Sequence, residues 1–160
     1  MAMIITVLFA FLLFESFGYL IHFLAHKNWT GLLYKHHLNH HIIYISSTED
    51  KNTFSKPKYE RFFWQSFTPW VAGPFALVLF SAYWLLPFYL FVTFAITIIL
   101  NTIALDYCHE AFHVEGHWLS KYPSFRIRRK LHWYHHRNTK TNLGIIFYFM
   151  DKIFKTLKKT

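Results

Sequence analysis

From Phe67 to Leu105 the chain runs for 39 residues without an Asp, Glu, Lys or Arg. As one helix, that run would be roughly 58 Å long at ~1.5 Å per residue, about twice the hydrocarbon thickness of a bilayer. It is therefore expected to fold as two helices, over residues 67–86 and 88–105, with Pro87 at the turn, where its fixed φ and missing N–H are tolerated. A second apolar stretch, residues 3–21, holds a single charge, Glu15, and is almost long enough to cross hydrocarbon as a helix. A cleaved leader is the competing reading of that stretch. It lacks a basic start and a small-residue cleavage site, and it continues directly into His22. The expectation is an all-α integral membrane protein with about three transmembrane helices.

All 17 basic residues fall in the two remaining segments, 22–66 and 107–160. A hairpin that leaves one membrane face returns the chain to it, so both segments share a side, and their Lys and Arg make that side cytoplasmic. Residues 1–160 thus form a single membrane domain with a cytoplasmic helical cap. An apolar fraction of 54%, with 22% aromatic residues, excludes disorder. Residues 46–60 read as a polar surface loop. Near the end, Ile146, Met150, Ile153, Phe154 and Leu157 recur at helical spacing opposite Asp151, Lys152, Lys155 and Lys158. That pattern predicts an amphipathic helix, lying either on the bilayer surface or over the cap. The run Arg126, Arg128, Arg129 and Lys130 reads first as positive-inside anchoring and second as a docking or headgroup patch.

Twelve histidines occur in two bursts, residues 22–41 and 109–136, with none in between. At about 100° per helical residue, His22 lies over His26 and His109 over His113. The same arithmetic gathers His37, His40 and His41 within one arc, and likewise His132, His135 and His136. The pattern H-x3-H followed by H-x2-H-H therefore appears twice, and the shared topology brings both copies to one face. Ten imidazoles exceed what one ion takes, so the reading is a histidine-rich dimetal site ligated by His22, His26, His37, His40, His41, His109, His113, His132, His135 and His136. Imidazole suits zinc, copper, iron and nickel, so ligand type leaves the metal open. Cys108 is the only cysteine, which removes a thiolate cage. Asp106, Glu110 and Glu115 offer carboxylates that could orient ring N–H groups from behind, or simply serve the helix end. His36 and His117 stand equally as supporting groups and as ordinary interfacial histidines.

These residues resemble the fatty acid hydroxylase and sterol desaturase superfamily. "HFLAH" and "LLYKHHLNHH" look like its first cluster, with Leu33, Tyr34 and Lys35 as lead-in. "LDYCHEAFH" is similar to the Asp-x-x-His-x-x-x-His box of the fatty acid 2-hydroxylase branch. After "HWYHH", the stretch "TNLGIIFYFMDKIFKT" is similar to an Asn-Phe-Gly segment and a Trp-Asp-x-x-Phe-Gly-Thr ending. Leu143, Met150 and Lys155 depart from that pattern, standing where relatives usually have Phe, Trp and Gly. Bacterial-type carotenoid hydroxylases are similarly short, but their first box is usually H-x4-H.

The resemblance implies a non-haem di-iron enzyme that uses O2 to hydroxylate or desaturate an unactivated C–H bond of a membrane lipid such as a fatty acyl chain, sterol or carotenoid. Zinc could replace iron in purified protein. Electrons would come from a separate donor of cytochrome b5 or ferredoxin type, since no such domain is attached. The implied setting is the endoplasmic reticulum of a eukaryote or the cytoplasmic membrane of a bacterium. Nucleic acid is not an expected partner, and the sequence does not specify an oligomeric state. The alternatives are a membrane zinc-dependent lipid hydrolase, which needs only three ligands, and a metal transporter or sensor, which should carry ligands at mid-membrane where only Glu15 qualifies.

Overall fold

The computed structural model describes residues 1–31, 33–36, 38, 40, 41 and 68–158. The 46–60 loop and His37 lie outside the described residues. The elements are α1 (Ala2–Ala25), a single turn α2 (Tyr34–His36), α3 (Thr68–Leu85), α4 (Phe88–Phe112), α5 (Pro123–Arg137) and a short α6 (Phe149–Ile153). Short 3-10 turns at Asn28–Thr30 and Trp118–Lys121 complete them. Among the described residues there is no strand.

Helices α1 and α4 are long and apolar enough to cross a membrane. Their threonine hydroxyls are satisfied within the helix. Thr6 donates to the Ala2 carbonyl, Thr93 to Tyr89, Thr97 to Thr93 and Thr102 to Ile98, each one turn back at 2.8–3.0 Å. Such back-bonding lets a hydroxyl lie in apolar surroundings without an unmet hydrogen bond. Pro87 caps α4, and its carbonyl accepts the N–H groups of Leu90 and Phe91.

Side-chain contacts set the directions of the helices. Phe9 meets Phe94 at 6.4 Å between ring centroids, and a Cβ placed on Gly18 would lie 3.9 Å from Leu105. Helices α1 and α4 therefore run parallel. Phe14 stacks on Phe75 at 5.2 Å, and α3 folds back on α4 through the edge-on pair Tyr83 and Phe91. Ala10, Phe14, Phe75, Phe94, Ile98, Leu105 and Phe112 form the buried core between these helices. Parallel packing leaves the C-terminal ends of α1 and α4 side by side, and these ends carry the histidine pairs.

The C-terminal segment departs from expectation. The helix is confined to Phe149–Ile153 rather than running over residues 146–157, because Lys155 takes a left-handed conformation with φ 57. The Thr156 N–H then bonds back to the Asp151 carbonyl at 2.8 Å and the Lys155 N–H to Lys152 at 3.4 Å. This is a Schellman stop. Its left-handed position is the one where the resembling family usually has glycine. The segment packs on α1, with Phe147 edge-on to Phe11 at 5.1 Å and Phe154 stacked on Tyr19 at 5.3 Å.

Candidate metal centre

Three helix C-termini converge on one place. His22 occupies the last turn of α1 and His26 its C-cap, while His109 and His113 repeat that arrangement on α4. Helix α5, begun by Pro123 at its first turn, ends with His135 and His136, and buries Phe125, His132 and His135 on its inner face. Each C-terminus carries a partial negative charge of about half a unit. Their convergence supplies negative potential that neutral imidazoles lack. His40 and His41 enter from a π-helical turn after α2, a local widening often found at functional positions.

Nine of the ten histidines read as ligands are described, and all nine come together in two groups. One holds His40, His109, His113, His132 and His136; the other holds His22, His26, His41 and His135. Within each group the candidate ligand atoms lie within 4.8 Å of one another. The H-x3-H pairs stay together, as the helical arithmetic predicts. The H-x2-H-H boxes do not act as units: His132 and His136 serve one group while His135 serves the other, and His40 and His41 divide in the same way.

Nitrogen spacings are those of ligands around an ion. Nε2 of His132 lies 3.0 Å from His113 Nε2 and 3.2 Å from His136 Nε2, and Nε2 of His26 lies 3.2 Å from His135 Nε2. With metal–nitrogen bonds of about 2.1 Å, neighbouring ligand atoms sit about 3.0 Å apart in an octahedron and about 3.4 Å apart in a tetrahedron. The observed spacings fall in that range.

Backbone carbonyls select the tautomer in the four-histidine group. Nδ1 of His22 is 2.7 Å from the Leu143 carbonyl oxygen and Nδ1 of His135 is 2.8 Å from that of Thr141. A carbonyl only accepts, so both Nδ1 atoms carry the proton and both Nε2 atoms present a lone pair. In the five-histidine group, burial and the surrounding imidazoles hold the pKa values of His132 and His136 well below 6.5, which keeps the rings neutral.

Asp106 and Glu110 are buried on α4 beside the cluster, whereas Glu115 is exposed. His36 lies in α2, and its side chain is outside the described residues. His117 joins neither group. It caps the turn Trp118–Lys121, where its Nδ1 accepts the Leu119 N–H at 3.2 Å. Its Nε2–H consequently donates to the Tyr107 hydroxyl, also at 3.2 Å. Within the run from Arg126 to Lys130, Arg126 donates to the Ser120 and Lys121 carbonyls, while Arg128 lies over the Phe147 ring.

Sequence alone predicts an amphipathic helix from the spacing of Ile146 to Leu157 and a likeness of residues 141–156 to family segments, and it misses the connection of these residues to the histidines. Asp151, fully buried, accepts the N–H groups of Leu143 at 2.8 Å and Gly144 at 2.7 Å, and the Thr156 hydroxyl at 2.7 Å. Asn142, at φ 52, closes the loop on Leu131 and Lys158. Gly144 is required by space, since an added Cβ would stand 2.8 Å from Asp151 Oδ2 and from the Phe147 oxygen. The available signal was the resemblance of "TNLG" and "DKIFKT" to family segments that follow the last histidine box.

No curated protein and no solved structure matches the chain. The sequence pattern of the family described as fatty acid hydroxylase matches residues 7–156, a range that takes in every histidine of both groups and the loop that braces them, and the chain therefore belongs to the fatty acid hydroxylase family.

Proposed function

We propose that the protein is an O2-dependent di-iron lipid hydroxylase, its two ions held by His40, His109, His113, His132 and His136 on one side and by His22, His26, His41 and His135 on the other. His37 completes the ligand set read from the sequence. The single observation that carries this reading is the pair of neighbouring imidazole groups with ligand-like nitrogen spacing. A zinc hydrolase needs three ligands and an open position, and two groups of this size exceed that requirement. Bound iron would supply the reductive activation of O2 needed to break an unactivated C–H bond.

The chain's own part is to hold Nε2 lone pairs inward, to bury the rings away from water, and to offset metal charge with three helix ends and with Asp106 and Glu110. Relatives that desaturate would use the same ligands, and hydroxylation is the outcome favoured by the family description.

The membrane reading is supported by aromatic residues at both ends of the helices. Tyr83, Trp84 and Tyr89 are exposed at the hairpin end, and Trp29, Trp118 and Tyr122 at the histidine end. Tyr89 and Tyr107 on α4 are about 27 Å apart along the axis at ~1.5 Å per residue, close to a hydrocarbon thickness, as interfacial belts require. Between the belts, Leu77, Phe80, Ile99 and Ile103 face outward. In this proposal α1, α3 and α4 all span the bilayer, the histidines lie at the cytoplasmic face, lipid substrate reaches them from the membrane, and electrons arrive from a separate protein. The membrane would be the endoplasmic reticulum in a eukaryote and the cytoplasmic membrane in a bacterium.

Anaerobic loading of the purified protein with ferrous iron should give two ions per chain, and addition of reductant and lipid should then consume O2 and yield oxidised lipid. Binding of no more than one ion, or two ions with no oxidised product across acyl, sterol and carotenoid lipids, would overturn the proposal.

A further inference from the structure

We infer that Asp151 is a positioning residue for the four-histidine group alone, aiming two backbone carbonyls that fix the ligand tautomers of His22 and His135. The inference rests on the proposal that both groups hold metal. A trans peptide is planar, so its N–H and the preceding C=O point in opposite directions, and holding one fixes the other.

In the peptide joining Leu143 to Gly144, the N–H is held by Asp151 Oδ2 at 2.7 Å, and the opposed carbonyl meets His22 Nδ1 at 2.7 Å. In the peptide joining Thr141 to Asn142, the N–H bonds to the Thr156 carbonyl at 3.1 Å, and the opposed carbonyl meets His135 Nδ1 at 2.8 Å. Thr156 is itself fixed by Asp151, through its hydroxyl at 2.7 Å and its N–H at 2.8 Å. Because that hydroxyl has given its only proton to Asp151, the Tyr19 phenol must donate to Thr156 Oγ1 at 3.0 Å. This contact ties the same hub to α1, three residues before His22.

Among the described residues, every hydrogen-bond partner of the Asp151 carboxylate lies in residues 143–156. Among the described residues, the loop's two hydrogen bonds to imidazoles, at His22 and His135, both fall in the four-histidine group.

Asp151→Asn replaces one acceptor oxygen with an NH2 that faces an N–H donor, so either the Gly144 N–H or the Leu143 N–H must lose its acceptor, and in both cases the hold on the Leu143 carbonyl is loosened. The experiment loads full-length protein anaerobically with ferrous iron, removes excess and counts ions per chain, with thermal unfolding measured alongside. Wild type should hold two ions. Asp151→Asn should hold about one, the weakened site losing about 10- to 100-fold in affinity, the range for lost outer-sphere support. Thr156→Val, which removes one donor and keeps the carboxylate, should weaken the same single site less, and it decides the matter if Asp151→Asn does not fold. Ile98→Ala, which loosens the helix core far from the loop, should lower the unfolding temperature and keep both ions. Two tightly held ions in both loop variants, or parallel loss of both ions in either folded variant, would overturn the inference. A wild type that holds no pair of ions would instead sink the functional proposal on which it rests.

Discussion

The two histidine groups are braced in different ways. In the five-histidine group, four members stand on α4 and α5, where helical spacing places His109 with His113 and His132 with His136. Two members of the four-histidine group, His22 and His135, lean on carbonyls of a loop that is irregular, buried and held by one carboxylate. The difference teaches that helix periodicity places histidines of both groups, while two members of the four-histidine group are in addition aimed by the hydrogen-bond inventory of a loop. Helix-borne positions should resist distant changes. Loop-aimed positions should report them.

The sharpest way to break the comparison is to remove one ligand from each group. His132→Ala and His135→Ala should each abolish product formation, a loss of more than about 100-fold, the upper end of what outer-sphere changes alone produce. Metal analysis should show each variant losing the ion of its own group. Normal turnover in either would end the ligand assignment for that residue.

A smaller effect is expected from Gly144→Ala. Its new Cβ would crowd Asp151 Oδ2 and the Phe147 oxygen at 2.8 Å, so the loop must shift. Turnover should drop by about 10- to 100-fold, with the ion of the five-histidine group retained. Loss of that ion as well would show that the two halves are not separable.

Acid should act on the five-histidine group of metal-free protein. The folded pKa values of His132 and His136 lie well below the ordinary 6.5, so below that value the unfolded chain binds more protons than the folded one. Stability is then full above pH 6.5 and declines as the pH falls toward the depressed folded values. Thermal unfolding of the metal-free protein from pH 7.5 to 5 should show a falling midpoint. A flat profile would mean that these rings are already solvated or charged in the fold.

The mildest change tests the Schellman stop. Lys155→Gly relieves a left-handed non-glycine residue, worth ~1–2 kcal/mol, against ~0.5–1 kcal/mol of added unfolded-state entropy. A net stabilisation of up to ~1.5 kcal/mol should appear as a slightly higher unfolding midpoint, with metal content unchanged. A lower midpoint would place the strain elsewhere.

Much of this arrangement is legible in the chain. Two uncharged stretches and the position of the basic residues suffice to bring both histidine bursts to one end of the helices, and parallel α1 and α4 agree with that inference. Helical spacing also anticipates the pairs His22 with His26 and His109 with His113. The division of each H-x2-H-H box is not legible, because whether His135 or His136 faces a given group depends on how α5 is rotated against α4, which is set by Phe125 packing on Phe112 at 5.0 Å between rings. Nor does periodicity reveal the C-terminal loop. Ile146, Met150, Ile153, Phe154 and Leu157 repeat as a helix would, yet burial of Asp151 and the turn at Lys155 override the repeat, as tertiary contacts override local propensity.

The neighbouring pairs His40 with His41 and His135 with His136 have one further consequence. In each, adjacent residues about 3.8 Å apart at Cα send their rings to opposite groups. Two covalent rulers, each a single peptide unit, would thus span the gap between two bound ions, and they adjoin through the stacked rings of His41 and His136. Sequence drift in the core or the loop could change how tightly either ion would be held, while each adjacent pair would still reach both groups across one peptide unit of fixed length.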